Sequence, residues 1–332
     1  MSTTGTEKVL YSFHGGSSDG ANPAGNLIDV NGTLYGTTEY GGGGCPDLGC
    51  GTVYRISTTG TETMLHSFAD SSSDDGYAPL AGLIDVNGTL YGTTKYGGAN
   101  CESFLGCGTV YSISTSGSEK VLFSFGGSPD GAWPISGLIN VKGTLYGTTF
   151  TGGSSGHGTV YRITTTGTEK VLHSFSNSPD GASPTAGLID VNGTLYGTTK
   201  TGGGTPCGTS FYLGCGVVYS ITTTGKEKVL HSFVPASDGP YYPLGGLVEV
   251  RGTMYGTTEA GGQCGDSCGV VYSVTTAGYL TTLHYFLGGS DGENPDTAMI
   301  DVNGTLYGTT PSGGSLKCDH HRGCGTVFAL TP

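Results

Sequence analysis

The heptapeptide Gly-Thr-(Leu/Met)-Tyr-Gly-Thr-Thr occurs six times, with its tyrosine at Tyr35, Tyr91, Tyr146, Tyr196, Tyr255 and Tyr307. The copies are 56, 55, 50, 59 and 52 residues apart. A unit of that length holding four short strands cannot bury its own faces, so successive copies must pack on one another. The repeat therefore constrains the fold far more tightly than it constrains the chemistry.

The third copy shows the unit. Ile135–Val141 alternates after Pro134 and reads as a first strand. Lys142-Gly143 turns it, where four other copies carry Asn-Gly (Asn31-Gly32, Asn87-Gly88, Asn192-Gly193, Asn303-Gly304). Asn-Gly accepts positive φ at both central positions, which predicts tight hairpins. Thr144–Thr149 reads as the second strand, Gly158–Thr164 as the third and Thr168–Phe175 as the fourth, the last two joined by Thr165-Thr166-Gly167. No segment has a helical period. Four antiparallel strands repeated radially describe a propeller blade. The expectation is an all-β, six-bladed β-propeller in one domain over 1–332, with blades near 24–68, 80–125, 135–175, 185–233, 244–286 and 297–331. Residues 1–13 contain only a fourth strand (7–13), and the last copy ends after its third, Gly325–Leu330. Pairing the two would close the ring and remove open strand edges.

Glycine contributes 64 of the 332 residues, and its fixed repeat positions mark turns rather than disorder. The net charge of −13 argues against nucleic acid, which needs clustered Lys and Arg. No apolar run is long enough to insert in a membrane. Gly-Thr-Leu-Tyr-Gly-Thr-Thr, the following Gly-Gly, Gly-Thr-Val-Tyr, Leu-His-Ser-Phe and Asp-Gly-x-x-Pro together resemble the GloVer-type tandem repeat of bacterial extracellular proteins. The resemblance covers essentially the whole chain. It implies a secreted or surface-anchored protein and carries no catalytic residue with it. No signal peptide is visible, and the chain starts inside a repeat, so an export signal removed ahead of Met1 is expected.

Ten cysteines form five local pairs, Cys45/Cys50, Cys101/Cys107, Cys207/Cys215, Cys264/Cys268 and Cys318/Cys324, each between the second and third strands. Disulfides closing glycine-rich loops are expected, and with them an oxidising compartment. Zinc is the rival, but pairs on different blades would lie too far apart to share an ion. The third copy carries His157 near the place of the second cysteine, and the last loop adds His320 and His321.

Asp-Gly recurs in the loop to each next first strand, at Asp19, Asp75, Asp130, Asp180, Asp238 and Asp291. These carboxylates suit turn capping, with calcium binding or acid–base chemistry as alternatives. Otherwise no cofactor or metal site is expected. His66, His173, His231 and His284 stand in the fourth strand where Tyr11 and Phe123 stand in other copies, which suits an aromatic packing role.

A unique site is expected where the copies disagree. After Gly-Thr-Thr come Glu39, Lys95, Phe150, Lys200, Glu259 and Pro311. Before the loop proline come Asn22, Ala78, Trp133, Ser183, Tyr242 and Asn294, and after it the last copy has Asp296. Asn26 replaces a first-strand glycine, and with Asp296 it is expected near the channel mouth on an adjacent blade. Asp296, Glu39, Glu259 and Asn26 are the catalytic candidates. Aromatic platforms beside carboxylates, amides and lysines suit a carbohydrate, a peptide or a small polar-aromatic ligand. A monomeric binding protein, an extracellular lyase or hydrolase, and a structural surface-repeat protein all remain open, because propellers host all three.

Overall fold

The computed structural model describes residues 8–46, 48–69, 74–101, 105–204, 206–207, 210–234, 239–262, 268–314 and 323–332. The protein is an all-β propeller of six antiparallel blades, with a single turn of 3-10 helix at Gly289–Asp291 among the described residues. In the second copy the strands run Ile84–Val86, Thr89–Thr94, Thr109–Ser114 and Glu119–Ser124, hydrogen-bonded in that order. The fourth and fifth copies repeat this arrangement, and the first adds Gly20–Pro23 at the edge of its long second strand.

The hairpins form as their sequences require. Asn31 and Gly32 have φ of 54° and 80°, and Asn192 and Gly193 have 54° and 84°. Lys142-Gly143 and Arg251-Gly252 adopt the same turn at φ of 52–53° and 84–85°. The acid or amide three residues before each glycine secures it. Asp29, Asp85, Asn140, Asp190 and Asp301 each accept the glycine amide at 2.7–2.9 Å.

First strands are shorter than the alternation suggests. In the third copy the strand is Ile139–Val141, not Ile135–Val141. It pairs only with the lower half of the second strand, Ile139 opposite Tyr146 and Val141 opposite Thr144. The upper threonines turn to the following copy instead. Thr37 donates to the Ala81 carbonyl, Thr148 to Ala186 and Thr257 to Thr297.

The chain divides into two compact units, residues 1–146 with 162–170, and residues 147–161 with 171–332. In the first, Phe68 of copy one meets Tyr111 of copy two edge-on at 5.1 Å. Both are fully buried, with Val53, Leu83, Leu90 and Ile113 around them. In the second, Phe175 meets Tyr219 at 5.1 Å, and Phe233 meets Tyr272 at 5.4 Å.

Among the described residues the last sheet has three strands, Ile300–Val302, Thr305–Thr310 and Thr326–Leu330, and residues 8–13 are in none. Ile300, Val302, Tyr307 and Val327 are exposed. Residues 8–13 nevertheless pack on copy one as fourth strands pack on the next copy, with Phe13 and Tyr54 at 4.9 Å.

The inter-copy tyrosine fits only over glycine. A Cβ at Gly92 would lie 2.5 Å from the Tyr111 hydroxyl and 2.9 Å from Leu83 Cδ2. Gly92→Ala is expected to lower stability by about 1–3 kcal/mol in urea unfolding, as overpacked cores do. Adding Tyr111→Phe should recover part of the loss.

Candidate ligand-binding loops

The variable loop residues stand on an invariant backbone. Asn22, Ala78, Trp133, Ser183, Tyr242 and Asn294 all have φ of 55–59°, the left-handed region that side chains other than glycine rarely adopt. Hydrogen bonds on both sides hold them there. The amides of Ala78, Trp133, Tyr242 and Asn294 donate to the carbonyls of Cys50, Cys107, Cys215 and Cys268 at 2.8–3.0 Å. Ser183 donates to His157, which takes the cysteine's place in the third copy. On the other side, Ala78, Ser183 and Tyr242 accept from the amides of Lys95, Lys200 and Glu259.

The cysteines therefore do more than close loops: Cys50, Cys107, Cys215 and Cys268 each position the residue that varies. Cys45–Cys50, Cys101–Cys107 and Cys207–Cys215 are disulfides, and Cys268 and Cys324 are disulfide-bonded. Cys264, Cys318, Asp238, His320 and His321 lie outside the described residues. No described cysteine is free, as suits an oxidising compartment. No helix among the described residues is long and apolar enough to cross a membrane.

In the first unit the loops gather an aromatic and polar patch. Tyr77 and Tyr96 stack at 5.2 Å, and Trp133 meets Tyr96 edge-on at 6.0 Å. Lys95 Nζ lies 4.7 Å from the Tyr96 ring centre. Beside them Asn22 Nδ2 donates to Glu39 Oε2 at 2.7 Å. A hydrogen bond to Glu39, and that carboxylate's charge, push the Tyr40 phenol above its ordinary range, with Tyr96 near enough to add to the effect. Tyr40, Tyr77, Tyr96, Lys95 and Trp133 are all half-buried, so each keeps a wet edge. Asn26 is exposed, with its backbone carbonyl against Gly82.

In the second unit Lys200 Nζ lies 3.5 Å from Glu259 Oε2 and 5.7 Å from the Tyr242 ring centre. Tyr241 packs edge-on against Tyr242 at 5.1 Å. Asn294 Nδ2 donates to the Glu259 carbonyl at 2.9 Å. Asp296 is close enough to feel Glu259. Partial desolvation, then the Glu259 charge, raise its carboxyl above the usual range, against the pull of its own backbone amide. Phe150 is half-buried at the corresponding position of the third copy.

Sequence reasoning missed Tyr40, Tyr77 and Tyr96. The signal was there one residue along: the mates of Tyr40 and Tyr96 are Thr151, Thr201, Ala260 and Ser312, and those of Tyr77 include Ala21, Ala132 and Ala182. It also missed what the fourth-strand histidines bind. They do pack on phenylalanine, as His66 does on Phe68 at 4.7 Å, but three of the four also reach the loop aspartate, the one after His231, Asp238, lying outside the described residues. His66 Nε2 is 3.2 Å from Asp75, His173 Nε2 3.0 Å from Asp180 and His284 Nε2 3.2 Å from Asp291. The aspartates also cap the loop, accepting the amides of Ala69, Ser176 and Leu287. Burial pushes the Asp180 carboxyl up. Hydrogen bonds from His173 and Ser176, with the His173 charge, more than reverse that and leave it below its ordinary value.

Half-buried glutamates open the fourth strands of the second, third and fourth copies. Burial first, then the charge of a neighbouring aspartate, pushes Glu119, Glu169 and Glu227 up to about 7. The Oε1 atom of each is buried with no hydrogen-bond partner.

Among known proteins, the sequence model described as the Gloeobacter/Verrucomicrobia repeat matches residues 1–211 and 212–332. No curated protein sequence matches the chain. A solved luciferin-regenerating enzyme is 14% identical over 96% of this chain and 92% of its own, with a TM-score of 0.47. A gluconolactonase from Xanthomonas campestris is 14% identical over 85% of this chain and 79% of its own, with a TM-score of 0.45.

Two outcomes follow from this geometry. Trp133 is the sole tryptophan and its amide bonds Cys107, so Cys101→Ser/Cys107→Ser should release it. Its emission should shift to the red and quench more readily with acrylamide, while far-ultraviolet circular dichroism stays native. The second concerns pH. Folded Glu169 keeps a proton to about 7, whereas the unfolded carboxyl loses it near its ordinary value of 4.5. Its contribution to stability is full below that lower value and is lost as pH rises through 7. In chelator-containing buffer the wild-type Tm should fall between pH 5 and 8, and Glu169→Gln should lessen the fall by ~1–3 °C.

Proposed function

The chain belongs to the Gloeobacter/Verrucomicrobia repeat family, and from that premise and its loop chemistry we propose a secreted carbohydrate-binding protein. The observation that carries the reading is the patch of Tyr77, Tyr96 and Trp133 with Lys95, Glu39 and Asn22 at its edge. A sugar ring offers C–H faces and a rim of hydroxyls. Half-buried aromatic rings meet the faces, and a carboxylate, an amide and an ammonium meet the hydroxyls. The left-handed loop residues are held before any ligand arrives, so little ordering cost opposes binding. Disulfide-tied loops support secretion, since such bonds persist outside the reducing cytosol.

One observation favours an enzyme as the second reading. Glu259 and Asp296 are neighbouring carboxyls with Asp296 raised, and unequal carboxyls are what acid–base catalysis of glycoside cleavage uses.

A glycan array followed by calorimetry separates the two. Binding is expected at one equivalent per chain. Trp133→Ala or Tyr96→Ala should weaken it about tenfold or more, for the loss of roughly 1.4 kcal/mol. Tyr279→Ala, an exposed tyrosine between the third and fourth strands of the fifth copy, should leave it unchanged. Turnover of a bound glycan, abolished by Asp296→Asn, would favour the second reading. An array with no retained glycan would count against both.

A further inference from the structure

Two places outside the loop patch gather an imidazole and two carboxylates. His66, Asp75 and Glu119 present ligand atoms that all lie within 4.8 Å of one another, and so do His173, Asp180 and Glu227. The groups come from different copies. His66 and Asp75 leave the end of the first blade, and Glu119 opens the fourth strand of the second. His173 and Asp180 leave the third, and Glu227 opens the fourth strand of the fourth.

Unpartnered polar atoms mark both places. The Oε1 atoms of Glu119 and Glu227 are buried without a partner. The hydroxyls of Tyr111 and Tyr219 are also without one, on side chains with no exposure, close enough to feel both carboxylates of their cluster. Histidine and aspartate keep a small window to solvent. Side-chain exposure is 22% and 17% in the first cluster and 22% and 13% in the second.

The repeat itself supplies the comparison. A complete cluster needs histidine in one copy and glutamate at the start of the next fourth strand. Tyr11 precedes Glu62 and Phe123 precedes Glu169, so the fourth-strand imidazole is missing, and His14, 3.3 Å from Asp19, is not gathered with Glu62. His231 precedes Leu280, so the carboxylate is missing. Among the described residues only the two complete positions gather three such groups.

We propose that His66–Asp75–Glu119 and His173–Asp180–Glu227 are two equivalent sites for a divalent transition metal of the zinc class, each clipping one blade to the next. One imidazole nitrogen and two carboxylate oxygens are a zinc ligand set, with water completing four-coordination. Two carboxylates neutralise the divalent charge, and a proton on either is released on binding. Calcium takes six to eight oxygens and is poorly served by a site with one nitrogen and two acids.

The test uses the full chain stripped with chelator and exchanged into metal-free buffer. Zinc is titrated into wild type, His66→Phe, and His66→Phe/His173→Phe, with bound metal counted by elemental analysis and Tm measured in parallel. Phenylalanine already stands at this position as Phe123, so the variants should fold. Bound zinc should drop by one equivalent in the single variant and by two in the double. Zinc should raise the Tm of wild type more than that of the double variant. Glu119→Gln, which keeps the histidine, should also lose one equivalent. Equal zinc uptake by wild type and double variant would overturn the proposal, as would a calcium-induced rise in Tm that the double variant loses while zinc has no effect.

Discussion

The structure depends on one contact, the buried edge-to-face meeting of an aromatic ring at the end of one fourth strand with a ring on the third strand of the next copy. Phe68–Tyr111, Phe175–Tyr219, Phe233–Tyr272 and Phe286–Phe328 all make it, at 5.1 to 5.4 Å, and Phe13, outside any strand, meets Tyr54 the same way at 4.9 Å. Such a pair is worth about 0.5–1.5 kcal/mol beyond the area it buries. Its second ring lies over glycine, Gly92 under Tyr111 and Gly197 under Tyr219, which explains a glycine in the middle of every Tyr-Gly-Thr-Thr strand. Each blade is thus completed by its neighbour, and the elements at the contact cannot drift without loss.

That dependence explains what the sequence could disclose. Strand count, hairpin type and blade composition were legible because they recur: Asn-Gly states its own φ values, and the Thr-Thr-Gly turn sets the register of the fourth strand. The first strand was drawn too long, because alternation from Ile135 onward does not reveal that Thr148 spends its hydroxyl on the next copy.

The loop patch was partly legible for the same reason. Disagreement between copies pointed to Glu39, Lys95, Trp133, Lys200, Tyr242, Glu259 and Asn294, and the structure joins these to close neighbours within their own unit. It did not point to the cysteine carbonyls that hold the left-handed residues, since a backbone acceptor leaves no mark in composition. Nor did it reveal the histidine–aspartate pairs. Those are formed by residues present in several copies, and comparing copies hides whatever they share.

The buried glutamates show how far repetition can carry a group beyond its use. Glu62, Glu119, Glu169 and Glu227 each keep a buried carboxylate oxygen without a partner, and an unsatisfied buried polar atom costs about 1–3 kcal/mol. Two of the four face a histidine and two face Tyr11 or Phe123, so the imidazole cannot be what requires the acid in every copy. The acid belongs to the blade as a repeated element, and burial raises its carboxyl above the ordinary range. Histidine is what distinguishes the copies: at His66 and His173 an imidazole and two carboxylates converge within 4.8 Å, and where Tyr11 or Phe123 stands instead the acid has only its aspartate neighbour.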